Sequence, residues 1–161
     1  MSFDQTKTDL ALVLKISKEL REWFTPVALK NIENDFQSKN VLKLYEGRAL
    51  SAFVIFAQNA EEIEILWLAV KKDRQREGLG KKLLCELENI ANKAAINRIT
   101  TITLDESIAY LPYDATRKFY LSLGFKPLKV IKNYWGTKDH ALFMEKRIPV
   151  LEKQPASPRK L

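Results

Sequence analysis

The sequence is poor in residues that staple, ligate or interrupt a chain. A single cysteine, Cys85, among 161 residues excludes a disulfide scaffold. A single histidine, His140, leaves no multi-histidine metal site, and no metal is expected. His140 starts a predicted strand, where it reads as a turn cap rather than a chemical group. Five glycines and six prolines exclude collagen-like and low-complexity chains. No apolar run reaches membrane-spanning length, because Lys15 and Lys18 interrupt the stretch from Leu10 to Ile16. Asp4 and Asp9 spoil the basic region a secretory signal needs, so a cytoplasmic, reducing compartment is expected.

What is present fits a globular chain. At 46% hydrophobic residues it can bury roughly 68–70% of its unfolded surface. One domain over residues 1–150 is expected. The segment 151–161, Leu-Glu-Lys-Gln-Pro-Ala-Ser-Pro-Arg-Lys-Leu, has too little apolar surface to pack and reads as a flexible tail.

The net charge of +7 invites a nucleic-acid reading, but its distribution opposes one. Lys71, Lys72, Arg74, Arg76, Lys81 and Lys82 face only Asp73 and Glu77 within one short segment. Lys153, Arg159 and Lys160 face Glu152 near the end, and the rest of the chain is close to neutral. A duplex binder spreads phosphate-reaching cations over a face, whereas one concentrated segment suits a small ligand with a few phosphates. No nucleic-acid or membrane partner is expected.

Hydrophobic periodicity predicts helices over 9–22 and from Pro26 to about Phe36, a hairpin of Val41–Tyr45 and Ala49–Ala57, and a strand over Glu62–Val70. On that strand Ile63, Ile65 and Trp67 are expected on one face and Glu64 on the other. A long helix follows from Gly78 to about Ala95, with Leu79, Leu83, Leu87, Ile90 and Ala94 on its apolar side and Cys85 on its polar side. The strand Ile99–Leu104, the helix Asp114–Leu123 with Gly124 as its stop, and strands Phe125–Ile131 and Ala141–Lys146 complete the order. The implied fold is α/β: a mixed, mostly antiparallel sheet of six to seven strands with helices on both faces.

Gln75-Arg76-Glu77-Gly78-Leu79-Gly80 joins an apolar strand to the long helix. Glycines there free the backbone to turn N–H groups inward, and the helix start adds positive partial charge, so a pyrophosphate is the natural guest. A Walker A loop would need glycine at position 75 and serine or threonine at 82, where Gln75 and Lys82 stand. A dinucleotide fingerprint would need glycine at 83, which is Leu83.

The loop resembles the Gln/Arg-x-x-Gly-x-Gly/Ala motif of the GNAT superfamily, the acetyl-CoA-dependent N-acetyltransferases. The strand Ile65-Leu66-Trp67-Leu68-Ala69-Val70 precedes it as in that family. Downstream, Thr116-Arg-Lys-Phe-Tyr120-Leu-Ser-Leu-Gly124-Phe125 is similar to the family's second element. The resemblance covers roughly residues 41–147. It implies a GNAT-like acyl-CoA N-acyltransferase fold, acetyl-CoA as co-substrate, and a small-molecule amine or peptide amine as acceptor. By the same resemblance the backbone of Leu68 and Val70 pairs with the pantetheine arm. The loop residues Gln75, Arg76, Glu77, Gly78, Leu79, Gly80 and Lys81 hold the pyrophosphate, and Tyr113, Thr116 and Phe119 border the cofactor. Tyr113 stands where many relatives carry asparagine.

Acetyl transfer needs an uncharged amine, which for an alkyl amine costs roughly 4.6 kcal/mol at pH 7. Glu64 matches a glutamate base found in some members, though it reads equally as a solvent-facing strand residue. Tyr120 matches the tyrosine that assists the leaving thiolate. Tyr113, Thr116 and Tyr120 share one helical stripe, and Phe119 and Leu123 form the apolar stripe beside it. Tyr134 and Trp135 read as a loop that either plugs the core, the favoured reading, or borders the acceptor pocket, and Trp23 and Phe24 as neighbours of the acceptor. The expected activity is direct acetyl transfer in a ternary complex; the alternative is a non-catalytic acyl-CoA-binding regulatory module of the same fold. The residues do not decide acyl-chain preference, or monomer against homodimer.

Overall fold

The computed structural model describes residues 7–149. Two helices, α1 (Lys7–Glu19) and α2 (Pro26–Ser38), precede a meander of β1 (Asn40–Glu46), β2 (Ala49–Gln58) and β3 (Ile63–Val70). A short 3₁₀ turn, Lys72–Arg74, leads to α3 (Leu79–Lys93), followed by β4 (Arg98–Leu104), α4 (Leu111–Ser122), β5 (Lys126–Gly136) and β6 (Asp139–Arg147). Six strands form one sheet in the order β1-β2-β3-β4-β6-β5, and only the β3–β4 pair is parallel. The tail expected over 151–161 lies outside the described residues.

Local chemistry sets the element ends. Thr25 caps α2 by accepting the Ala28 N–H at 3.2 Å, with Pro26 in the first turn where its missing N–H costs nothing. Pro112 does the same for α4, which therefore starts at Leu111 rather than at the expected Asp114. Gly124, at φ +88, stops that helix in the left-handed region.

Two cores sandwich the sheet. Toward α3 and α4, Val54, Phe56, Ile63, Ile65, Leu83, Leu87, Ile99 and Tyr120 are buried together. Toward α1 and α2 the partners are Val13, Ile16, Ile32, Phe36, Phe53, Ile55 and Ala69. β2 is buried on both faces, which is why its sequence is apolar without alternation. The buried face of α3 runs through Gly80, Leu83, Leu84, Leu87 and Ala91. Ala94, expected inside, is exposed, because α3 ends at Lys93 and Ala94 is its C-cap, where the helical period no longer applies.

Two expectations are corrected. Trp67 does not share the face of Ile63 and Ile65: Ile55 opposes Trp67 while Phe56 opposes Ile65, so Leu66 is an extra residue that reverses the alternation. After this bulge Leu68 and Val70 pack with the α3 core, and Trp67 and Ala69 with the α1–α2 core. Nor do Tyr134 and Trp135 plug the core. They lie in an extended β5–β6 hairpin and are 46% and 53% exposed. Side chains hold that hairpin where its ladder breaks: His140 Nδ1 accepts the Asn133 N–H, and Asn133 Oδ1 accepts the Lys138 N–H, each at 3.0 Å.

Candidate active site

β3 and β4 pair only through Ile63–Ile99, Glu64–Thr100 and Ile65–Thr101. Beyond that point both strands continue but separate, leaving Leu66–Val70 and Ile102–Leu104 facing across a gap. The Lys71 N–H donates to the Ser51 carbonyl at 2.8 Å, toward β2. By strand alternation the N–H and C=O groups of Val70 and Leu68 turn the other way, into the gap. Open strand edges inside a fold call for a hydrogen-bonding guest. A second orphan lies alongside: the Thr103 hydroxyl is buried without a hydrogen-bonding partner.

The gap opens onto the loop before α3. Gly78 takes φ +83 and caps the helix without a side-chain bond, so the first amides of α3 stay unclaimed by any cap. Arg76 also adopts a left-handed conformation, at φ +69. Two such residues beside a helix start make a concave nest of N–H groups. Gly78 has nothing within 4 Å of a hypothetical Cβ, so its φ is what demands glycine. Gly80 serves another purpose. A Cβ there would sit 2.9 Å from Phe119, so the bare backbone admits that ring rather than a ligand.

Ion pairs sort the cations of this segment. Lys71 pairs with Asp73 at 3.2 Å and Lys72 with Glu22 at 3.5 Å. Arg74 grips both Glu46 and Glu77, the latter at 2.7 Å, and so lashes the loop to the end of β1. Arg76, Lys81 and Lys82 form no ion pair among the described residues and are exposed around the nest. The Gln75 side chain donates to the Val70 carbonyl at 3.3 Å.

At the vertex stands Tyr120. Its ring packs edge-on against Phe119 and Phe125, and its hydroxyl lies near the side chain of Thr101. Thr101 Oγ1 in turn reaches the Ile65 carbonyl at 3.4 Å, on the last paired step before the strands part. Burial pushes the phenol up to about 12. Glu64 lies on the opposite face, one step before the vertex. Desolvation and the neighbouring Glu62 raise its carboxyl above the ordinary range, with Asp35 adding to this and Lys39 opposing it. Glu62 itself is held by Arg98 at 2.7 Å.

Tyr113 and Thr116 are engaged elsewhere. The Trp23 indole N–H is shared between Thr116 Oγ1 at 3.0 Å and the Pro112 carbonyl at 3.2 Å, and the Tyr113 hydroxyl donates to the Trp23 carbonyl at 3.3 Å. The turn between α1 and α2 is thereby tied to the start of α4. Thus Tyr120, Leu68, Val70, Phe119 and the loop cluster about the gap, Glu64 flanks it, and Tyr113 and Thr116 serve the tie. Sequence reasoning missed Thr101, Thr103 and the Trp23 tie. Thr101 and Thr103, two places apart and so on the same face of the strand as Ile99, were the available signal for the first two.

A separate open groove of about 680 Å³ lies along α1, lined by Lys15, Lys18, Arg21 and Lys72 among others. It contains none of these orphaned groups. Among the described residues no three His, Cys, Asp or Glu side chains are grouped to hold a metal, and no helix is long and apolar enough to cross a membrane.

The fold has close counterparts. A putative acetyltransferase of the GNAT family from Desulfovibrio desulfuricans superposes with a TM-score of 0.82 at 19% identity, over 91% of this chain and 96% of that one. The ribosomal-protein-S18-alanine N-acetyltransferase from Escherichia coli gives 0.74 at 22% identity, over 94% and 96%. An aminoglycoside 6'-N-acetyltransferase complexed with coenzyme A gives 0.72 at 17% identity, over 94% and 98%. No curated protein matches in sequence. The model of the acetyltransferase (GNAT) domain matches residues 37–127, the stretch that carries the meander, the split, the nest and Tyr120. That match spans more than half of the chain, which therefore belongs to the GNAT family of acetyltransferases and is an acyltransferase.

Proposed function

We propose that the protein moves an acetyl group from acetyl-CoA to a primary amine, by direct attack within a ternary complex. The observation that carries this reading is the parting of β3 and β4 after Ile65 and Thr101, with Tyr120 at the vertex and an uncapped helix start at the mouth. The coenzyme supplies the activated acyl group as a thioester. The chain's part is to hold, orient and move protons.

Each requirement has a matching group. Exposed Arg76 and Lys81 and the amides from Gly78 onward offer positive potential to a diphosphate. The strand edges of Leu68 and Val70 fit an extended amide-bearing arm, as a third strand would. The orphaned Thr103 hydroxyl gains a partner in the same gap.

In the reaction the amine nitrogen forms a bond to the carbonyl carbon, the carbon–sulfur bond breaks, and the amine gives up a proton. The Val70 N–H donates to the carbonyl oxygen as negative charge gathers there. Glu64 takes the amine proton, directly or through one water. Its raised carboxyl is a better base near neutrality than an ordinary one. Tyr120 donates a hydrogen bond to the departing sulfur. With its phenol near 12 and a thiol near 8.5, full proton transfer would be uphill by ~5 kcal/mol, so the hydroxyl stabilises the thiolate and keeps its proton.

Thiol release from acetyl-CoA over a broad amine panel tests the reading, alongside binding measured by calorimetry. The regulatory-module alternative predicts coenzyme binding with no thiol release for any amine. An unchanged pH–rate profile in Glu64→Gln would remove Glu64 from the role of base.

A further inference from the structure

The sheet face shared by Glu64 is only half covered. α1 and α2 lie over β1–β3, while the side chains of β4, β6 and β5 on that side join neither core and, apart from fully buried Ala141, keep part of their surface open. Strand register identifies them. Thr100, Ile102 and Leu104 stand beside Glu145, Phe143 and Ala141, which stand beside Lys126, Lys129 and Ile131. Glu64 adjoins Thr100 at the edge of this bare surface. Tyr134 adds an exposed ring edge-on to Phe143, with centroids 6.1 Å apart.

The charges here do not suit a polycation. Glu62 is claimed by Arg98, and Glu145 lies between Arg147 at 3.2 Å and Arg98 at 4.0 Å. Lys129 sits 5.1 Å above the Phe143 ring, and Lys126 shares the face. With Lys39 and Asp35, which also act on the Glu64 carboxyl, five bases meet four acids; Glu145 Oε2 is buried away from a ligand, and Glu64 is the acid beside the gap that no arginine claims. One ammonium is welcome there. A second, several ångströms away, would meet Lys129 and apolar Ile102 and Phe143. A polyamine or aminocyclitol would lose hydration without gaining a counter-ion. A flat hydrocarbon body would bury itself on Ile102, Phe143 and Ile131 and present an edge to Tyr134.

Resting on the acetyl-transfer reading, we propose that the acceptor is a primary monoamine carried on an aromatic body. Its nitrogen lies at Glu64 and its ring on the bare face of β4, β6 and β5. The test uses the full chain with acetyl-CoA and compares 2-phenylethylamine, n-butylamine, spermidine and kanamycin at equal free-base concentration. Thiol release should give 2-phenylethylamine a kcat/KM at least about tenfold above n-butylamine, a difference that burial of a phenyl-sized apolar surface can supply. Spermidine and kanamycin should fall below both. Phe143→Ala should bring the ratio of the first two amines close to one. Preference for spermidine or kanamycin overturns the proposal, as does release with none of the amines while coenzyme A still binds. A concentration-dependent dimer that Phe143→Ser abolishes would assign the face to a second copy instead. Failure to bind coenzyme A would instead defeat the underlying reading.

Discussion

From β1 to β3 the sheet is packed on both faces, whereas β4 and β6 bury chiefly the face toward α3 and α4 and β5 is exposed along nearly its whole length. Phe53 and Phe56, on opposite sides of β2, are 0% and 1% exposed, while nearly every residue of β5 is exposed. The border between these regions is also where the one parallel pair comes apart. The comparison teaches a division of labour. Buried packing is concentrated in the doubly covered half, and open strand edges and a partly uncovered face border it.

The largest effect expected at that border is chemical. Glu64→Gln should lower turnover by about 10²–10⁴-fold and flatten the acidic limb of the pH–rate profile, read by thiol release. In the wild type, activity should fall as pH drops through a carboxyl pKa above the ordinary glutamate range. Next comes stability across the two halves. Phe53→Ala should cost about 3–5 kcal/mol in urea unfolding. Phe143→Ala, on the bare face, should cost far less; equal losses would break the comparison.

Gly80→Ala forces the Phe119 ring to shift and should cost about 1–3 kcal/mol, whereas a cavity-tolerant site would show nothing. Tyr120→Phe removes a buried hydroxyl beside Thr101 and should cost about 0.5–1.5 kcal/mol, with slower turnover and little change in coenzyme affinity. The smallest effect is a gain. A carboxyl whose folded pKa is raised adds stability only when protonated, and that contribution is lost as pH rises through the raised value. At neutral pH Glu64→Gln should therefore melt slightly higher than wild type, a cost of function visible as stability.

Much of this was legible in the residues. Gly78 at a strand–helix junction signals a left-handed turn and an uncapped helix start, and the structure has both. The Tyr120 element falls on α4, and Cys85 lies exposed on α3 as its helical position requires. The misses come from tertiary geometry. A bulge at Leu66 leaves no mark in a strand that is apolar at every position from Ile65 to Val70, so Trp67 changes face without warning. Gly80 carries no hydrophobic weight, yet it sets how α3 rolls against Phe119. The Trp23 tie joins residues 93 positions apart, and its indole and hydroxyl partners have no periodic signature. Tyr134 and Trp135 read as core because they are aromatic, yet they stand at the end of a hairpin that nothing covers.

The central claim is that the parted strands and the nest at α3 hold one coenzyme molecule. Backbone amide shifts of the isotope-labelled protein, followed during a coenzyme A titration, test this most directly. The account predicts the largest shifts at Leu68, Val70 and Gly78 through Lys81, saturating together with one affinity. Shifts confined to Lys15, Lys18 and Lys72 along α1, or none at millimolar coenzyme, would contradict it.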